Sequence, residues 1–159
     1  MSLYFKFIIL PLVLLSACKS PEKFKFVEKI APEEGGVYVY RPYENVLLFN
    51  KYKVIVYKYS GNFMEKGVDP VFLKSYTLKN GSFIALSLAP GYYKLVMPQF
   101  KDTFKIIHVK AGNVYYYKII FFARGFFKKA DSFIQEKEQY DAVEEMLRYG
   151  GLVKKDTPD

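Results

Sequence analysis

Residues 72–91 read FLKSYTLKNGSFIALSLAPG, and the fold turns on how this stretch divides. Two strand-like runs, Phe72 to Leu78 and Ser82 to Leu88, flank Asn80-Gly81. Asn-Gly is the pair preferred by a type I′ turn, whose central residues both take positive φ, so the stretch predicts a β-hairpin. Ala89-Pro90-Gly91 predicts a second tight turn, with proline presetting φ and glycine supplying positive φ as in type II.

Outward from this stretch, short aromatic-rich runs alternate with turn signals. Val37-Tyr38-Val39-Tyr40 leads into Arg41-Pro42, where proline ends a ladder by removing a donor. Lys51 to Tyr59 forms the next strand, and Ser60 to Pro70, with Gly61, Asn62, Gly67, Asp69 and Pro70, is the longest loop. After the Pro90-Gly91 turn come Tyr92 to Met97, Thr103 to Val109, a turn at Lys110-Ala111-Gly112-Asn113, and Val114 to Phe122. This spacing predicts a mainly β fold, an antiparallel β-sandwich (Ig-like or PEGA-like) of about seven strands with a short C-terminal helix. The composition agrees: 15 Tyr and 15 Phe with no Trp favour strands.

Near the C-terminus, Ser132-Phe133-Ile134-Gln135 fits a capping box that would open a helix there. The apolar stripe Tyr140, Val143, Met146 and Leu147 needs only residues 138–148, with Glu144 and Arg148 as an i,i+4 pair and Gly150 at C′. The shorter helix is the expectation, with Phe126 to Gln135 as a last strand. The domain then covers residues 35–151, followed by a polar tail, 152–159.

The N-terminus carries an address. After Lys6, an apolar run from Phe7 closes on Leu15-Ser16-Ala17-Cys18. Residues 1–17 have the charged, apolar and small-residue regions of a secretory signal, and the apolar core is shorter than the roughly 20 residues that span a bilayer. An ordinary cleaved signal or an uncleaved anchor would use the same run, but the chain's single cysteine stands where a bacterial lipobox needs it. The resemblance to lipoprotein signals implies cleavage between Ala17 and Cys18 and acylation of Cys18. Two or three long chains, at about 0.8 kcal/mol per buried methylene, hold a protein far more firmly than one. Lys19 replaces the aspartate that commonly retains lipoproteins at the inner membrane, so the same resemblance implies an outer-membrane protein facing the periplasm. With Cys18 acylated, no thiol remains for a disulfide, a nucleophile or a metal.

Residues 18–34 form the acylated cysteine and a tether. A flexible coil of about 16 residues reaches roughly 20 to 25 Å. Phe24, Phe26 and Ile30 are out of keeping with a bare linker and suit docking on the domain or the membrane interface. The formal charge is +8, one unit of it from Lys6. Export makes nucleic acid an improbable partner. The lysines are scattered, with Lys128-Lys129 the one pair before the final segment, and they suit solvated strand faces or anionic headgroups beside the anchor.

Catalytic patterns are weak. His108 is the only histidine, which leaves metal-ligand spacing unmet. A Ser87, His108 and Asp102 set lacks a nucleophile elbow. Glu33-Glu34 and Glu136-Glu138 sit in the tether and in a polar segment, and there is no glycine-rich phosphate loop. No enzyme activity, cofactor or metal is expected. Candidate binding residues are Arg41, whose planar fork suits a carboxylate or phosphate unless it folds over Tyr40 or Tyr43 or bonds a neighbouring loop's carbonyls, and Tyr92, Tyr93, Tyr115, Tyr116 and Tyr117. Strand alternation puts Tyr115 and Tyr117 on one face and Tyr116 on the other, one set core and the other free to form an adhesive patch.

The order Val37-Tyr38-Val39-Tyr40-Arg41-Pro42, Lys79-Asn80-Gly81-Ser82-Phe83, Leu88-Ala89-Pro90-Gly91 and Lys110-Ala111-Gly112-Asn113-Val114-Tyr115-Tyr116, then an acidic helical tail, resembles the bacterial domain of unknown function 2846. The resemblance covers Gly35 to Leu147. It implies a small exported protein, often a lipoprotein, with a β-sandwich and no assigned catalytic residues. The functional expectation is a non-enzymatic, membrane-tethered sandwich that binds an envelope protein or glycan. The alternative is a small-molecule or lipid carrier with a cavity between its sheets.

Overall fold

The computed structural model describes residues 21–45, 47–123, 130–148 and 151–155. The signal segment, Ala17, Cys18, Phe126 and Lys128-Lys129 lie outside the described residues. The elements are β1 (Gly35–Arg41), β2 (Tyr52–Lys58), β3 (Val71–Leu78), β4 (Ser82–Leu88), β5 (Gly91–Val96), β6 (Phe104–Val109), β7 (Val114–Ala123), β8 (Ala130–Lys137), α1 (Gln139–Leu147) and β9 (Val153–Lys154). They form a five-stranded sheet, β8-β7-β1-β4-β9, and a four-stranded sheet, β3-β2-β5-β6. The fold is mainly β, as the spacing predicts, and the residues from 130 continue as a strand before the short helix.

Between the sheets the core draws Val37, Val39, Ile84, Leu86, Tyr117 and Ile119 from one side and Val54, Val56, Tyr93, Leu95, Ile107 and Val109 from the other. Period-2 alternation in each strand supplies these residues. β1 is the exception, with all seven residues buried. Its odd residues face the inter-sheet core. Tyr38 and Tyr40 face a second cluster with Phe24, Phe83, Tyr116, Ala142, Met146 and Leu152. A central strand covered on both faces explains why Val-Tyr-Val-Tyr carries no charge.

The register corrects the hairpin expected at Asn80-Gly81. β3 pairs with β2, and β4 pairs with β1, so the turn carries the chain between sheets. Gly81 takes φ +68°, while Asn80 is not among the positive-φ residues, which excludes type I′. The Asn80 side chain instead holds the segment after β1, accepting from the Glu44 N–H at 3.1 Å and donating to its carbonyl at 2.9 Å. Ser82 Oγ closes the turn, accepting from Lys79 N–H and donating to Lys79 O. A Cβ at Gly81 would collide with the Tyr43 ring.

The Pro90-Gly91 and Gly112 turns also cross between sheets. Gly91 sits at φ +149°, away from the value near +80° of a type II turn. Among the described residues the strands number nine, and not all pairings are antiparallel: β1 runs parallel to β7, and β4 parallel to β9. Between β1 and β7 the chain builds the whole second sheet, which leaves it free to return in the same direction.

The tether expectation also needs correction. Residues 21–30 lie as a strap on the outer face of the five-stranded sheet. Phe24 is 3 % exposed and meets Tyr38 and Phe83 edge-on, with ring centroids 6.1 and 5.5 Å away. Phe24 N–H donates to Leu152 O at 2.7 Å, and Lys154 N–H donates to Glu22 O at 2.7 Å. Glu28 N–H donates to the Tyr38 hydroxyl at 2.8 Å. Ile30 is seated on Gly36, where a Cβ would displace it. The expected polar tail begins with buried Leu152 and the sheet strand β9, so the domain runs from the strap to at least residue 155. Both corrections have one cause, the apolar outer face of β1, β4 and β7, which is covered by the strap, α1 and Leu152.

Candidate functional site

Arg41 ends β1 fully buried between the sheets. Its Nη1 donates to Asn50 O and its Nη2 to Leu47 O, both at 2.7 Å, and the guanidinium carbon lies 4.7 Å from the Phe121 ring centroid and 5.3 Å from that of Tyr52. Burial pushes its pKa below the ordinary value, opposed by Tyr52 and Glu44. The planar fork therefore clamps the β1–β2 loop, the carbonyl-binding role among those its sequence context suggests.

The tyrosines divide differently from the expected patch. Tyr93, Tyr116 and Tyr117 are each no more than 2 % exposed: Tyr116 and Tyr117 because both faces of the five-stranded sheet are covered, and Tyr93 because it faces the inter-sheet core from β5. Tyr115 is partly buried, its hydroxyl accepting from Lys110 N–H. Tyr92 lies on the outer face of the four-stranded sheet, stacked on His108 at 4.4 Å and 15°. His108 is exposed, in a different sheet from Ser87, whose hydroxyl donates to Glu34. Among the described residues, no group of three or more His, Asp, Glu or Cys side chains is gathered to hold a metal.

The outer face of the four-stranded sheet is the surface that sequence reasoning missed. The register places Ile55 beside Val96, Tyr57 beside Lys94, Tyr92 beside His108, and Val96 beside Phe104. Phe72 is 58 % exposed and meets the Tyr57 ring at 6.2 Å; Phe104 is 49 % exposed beneath Lys94 Nζ at 4.5 Å. Phe63, from the Ser60 to Pro70 loop, touches Tyr92 at 5.3 Å and rims the face. β3 ends the sheet, and Val71, Phe72, Leu73 and Lys74 are all exposed. Of the lysines in these strands, Lys53 and Lys94 stand on this face, whereas Lys58, Lys74 and Lys105 are opposite the inward Tyr93, Val56 and Leu95, and Lys105 pairs with Glu136 at 3.8 Å; the four strands contain no acidic residue. Aromatic area, single-sign charge and an open sheet edge thus coincide.

Polar chemistry on the opposite side is structural. Glu145 of α1 accepts from the Tyr40 hydroxyl at 2.9 Å and pairs with Lys118 at 2.9 Å and Lys137 at 3.8 Å. These contacts pin the helix to β1, β7 and β8. Burial pushes the Glu44 carboxyl above its usual range, against the pull of Lys118 and Arg41. Between the sheets, Tyr52, Phe100 and Phe121 pack at centroid distances of 4.5 to 5.6 Å, filling space that a carrier would keep for cargo.

Comparisons with protein-family models, with curated proteins and with solved structures find no match.

Proposed function

We propose that the chain is a lipid-anchored exported protein, of the kind the domain of unknown function 2846 resembles, that binds another envelope protein without catalysis. The lipobox Leu15-Ser16-Ala17-Cys18 supports the anchor, and Lys19 after it supports the outer-membrane, periplasm-facing location. One observation carries the binding role: the uncovered face of the four-stranded sheet is aromatic, basic and bounded by the edge strand β3. Its partner is an extended segment with acidic and apolar residues. Such a segment adds to the β3 ladder through main-chain hydrogen bonds, and its carboxylates meet Lys53 and Lys94 on the open face. Protein is favoured over glycan because the free edge offers backbone groups in strand spacing.

The test is photocrosslinking in living cells from reporter residues placed at Phe72, Phe104 and, on the other side of the domain, Tyr140, which is 80 % exposed. The expected result is one protein captured from Phe72 and Phe104 but not from Tyr140. Its crosslinked peptide carries an excess of Asp and Glu, and capture disappears with Lys53→Glu plus Lys94→Glu. Equal capture from all three positions, or none from the sheet face, overturns the binding role. Intact mass of membrane-extracted protein beside Cys18→Ser tests the anchor separately.

A further inference from the structure

Although the strap is the segment nearest the anchor, its middle is solvent-facing and apolar. Phe26 is 70 % exposed, two residues after the buried Phe24. Lys23, Lys25 and Lys29 are exposed around it, whereas Glu22 and Glu28 are both drawn to Lys154. An open depression of about 570 Å³ beside the strap is lined by Phe24, Phe26 and Phe83 with Lys23 and Lys25, and by Glu22 and Glu28, the two carboxylates that Lys154 pairs. A strap needs Phe24 for docking. It has no structural use for a second, outward phenylalanine ringed by lysines.

Chain length decides what covers this patch. Glu22 is fixed to β9 by the Lys154 N–H bond, and only Lys19, Ser20 and Pro21 separate it from Cys18. At no more than about 3.6 Å per residue, Cys18 lies within about 14 Å of that point. This is shorter than the reach of a free tether, and it starts from the side of the sandwich opposite the open four-stranded face.

We propose that the strap is a membrane-docking surface: Phe26 enters the bilayer interface while Lys23, Lys25 and Lys29 bind anionic phospholipid headgroups, so the domain lies directly on the membrane with its four-stranded face turned away. The proposal rests on the lipoprotein reading of Cys18. Phenylalanine on a basic segment is the side-chain pattern that enters the headgroup and acyl boundary. Each lysine near an anionic surface adds about 1 kcal/mol, roughly fivefold in partitioning. The resulting orientation leaves the proposed partner site facing the compartment.

The chain has no tryptophan, so a single introduced one reports its own depth. Full-length Phe26→Trp and Phe104→Trp proteins are extracted from membranes and reconstituted in vesicles of phosphatidylglycerol and phosphatidylcholine with brominated acyl chains, and intact mass is recorded for each. The expected result is that Phe26→Trp loses emission by about twofold or more, consistent with entry into the acyl boundary, and Phe104→Trp keeps it. Adding Lys25→Gln and Lys29→Gln, or omitting phosphatidylglycerol, weakens the quenching. An acylated chain whose Phe26→Trp emission is unquenched, or is quenched no more than Phe104→Trp, overturns the docking surface and leaves the lipoprotein reading standing. A chain without acyl mass on Cys18 overturns both.

Discussion

The Tyr40 hydroxyl donates to Glu145 Oε2 at 2.9 Å, joining the central strand to the only helix among the described residues, while Tyr116, one strand away, keeps a buried hydroxyl without a partner among them. The two residues face the same cluster, and their phenol groups have opposite energetic value. Tyr40→Phe leaves Glu145 short of a donor and costs about 1.5–3 kcal/mol, the range for a hydrogen bond to a charged group. Tyr116→Phe removes only an unsatisfied polar atom and is neutral or mildly stabilising. Urea unfolding of the two variants reads the difference directly, and equal losses would refute the assignment.

Buried phenols also set the alkaline limit of the fold. Desolvation raises the Tyr116 pKa from 10.0 to about 12 and pushes Tyr40 and Tyr117 higher still, with Glu145 adding to the rise at Tyr40 and Glu136 at Tyr117. Raised folded-state values mean that the native protein holds protons the unfolded chain releases. The stabilisation is therefore complete below pH 10 and is lost as pH rises through the folded values. Stability falls by up to about 1.4 kcal/mol per pH unit for each such tyrosine. Phenolate absorbance should appear for these residues together with loss of the fold, near or above pH 12, rather than as a gradual titration from pH 10.

Arg41 makes a sharper prediction than its place in the sequence suggests. Two carbonyls 2.7 Å from separate guanidinium nitrogens require a planar fork, which lysine lacks. Arg41→Lys thus strands at least one buried carbonyl and a charge, costing about 3 kcal/mol or more. Arg41→Leu removes the charge as well and is no worse. If thermal unfolding ranks lysine as the benign substitution, the clamp is not what keeps Arg41 buried.

The sequence was legible where structure is local. Strand positions followed from alternation and from Pro42, Pro70, Pro90 and Pro98, and the helix followed from the stripe around Met146. Sheet membership was not legible, because Asn80-Gly81 specifies a chain reversal and is silent on which neighbour each flanking strand pairs with. Register depends on long-range burial, here the demand of β1 for cover on both faces. The same demand buried Tyr116 and Tyr117 together and drew Phe24 out of the expected tether. Phe24 was the visible signal, since a large aromatic in a charged linker has no use until a surface receives it. The open face was hidden for the opposite reason: Tyr92 stood among the candidate tyrosines, but alternation does not say which face of a strand is covered, and only the register sets Phe72 and Phe104 on the same outer face.

Phe24 also decides whether the strap is part of the fold or an ornament on it. It is 3 % exposed among Tyr38, Phe83 and Leu152, so Phe24→Ala leaves a cavity where a ring had been and costs about 3–5 kcal/mol if the strap stays in place. The strap can respond by lifting instead, since its other ties are the Glu22 and Phe24 main-chain bonds, the Glu28 N–H bond to the Tyr38 hydroxyl, Ile30 on Gly36 and the Lys154 ion pairs. Lifting caps the global loss but exposes Tyr38, Phe83 and β9. Hydrogen exchange separates the outcomes. In Phe24→Ala, protection should vanish selectively at Phe24, Glu28 and Lys154, while Val54, Leu95 and Ile107 keep theirs. Uniform loss across both sheets would mean that strap and sandwich unfold as one unit, and that the N-terminal segment is needed for the fold itself.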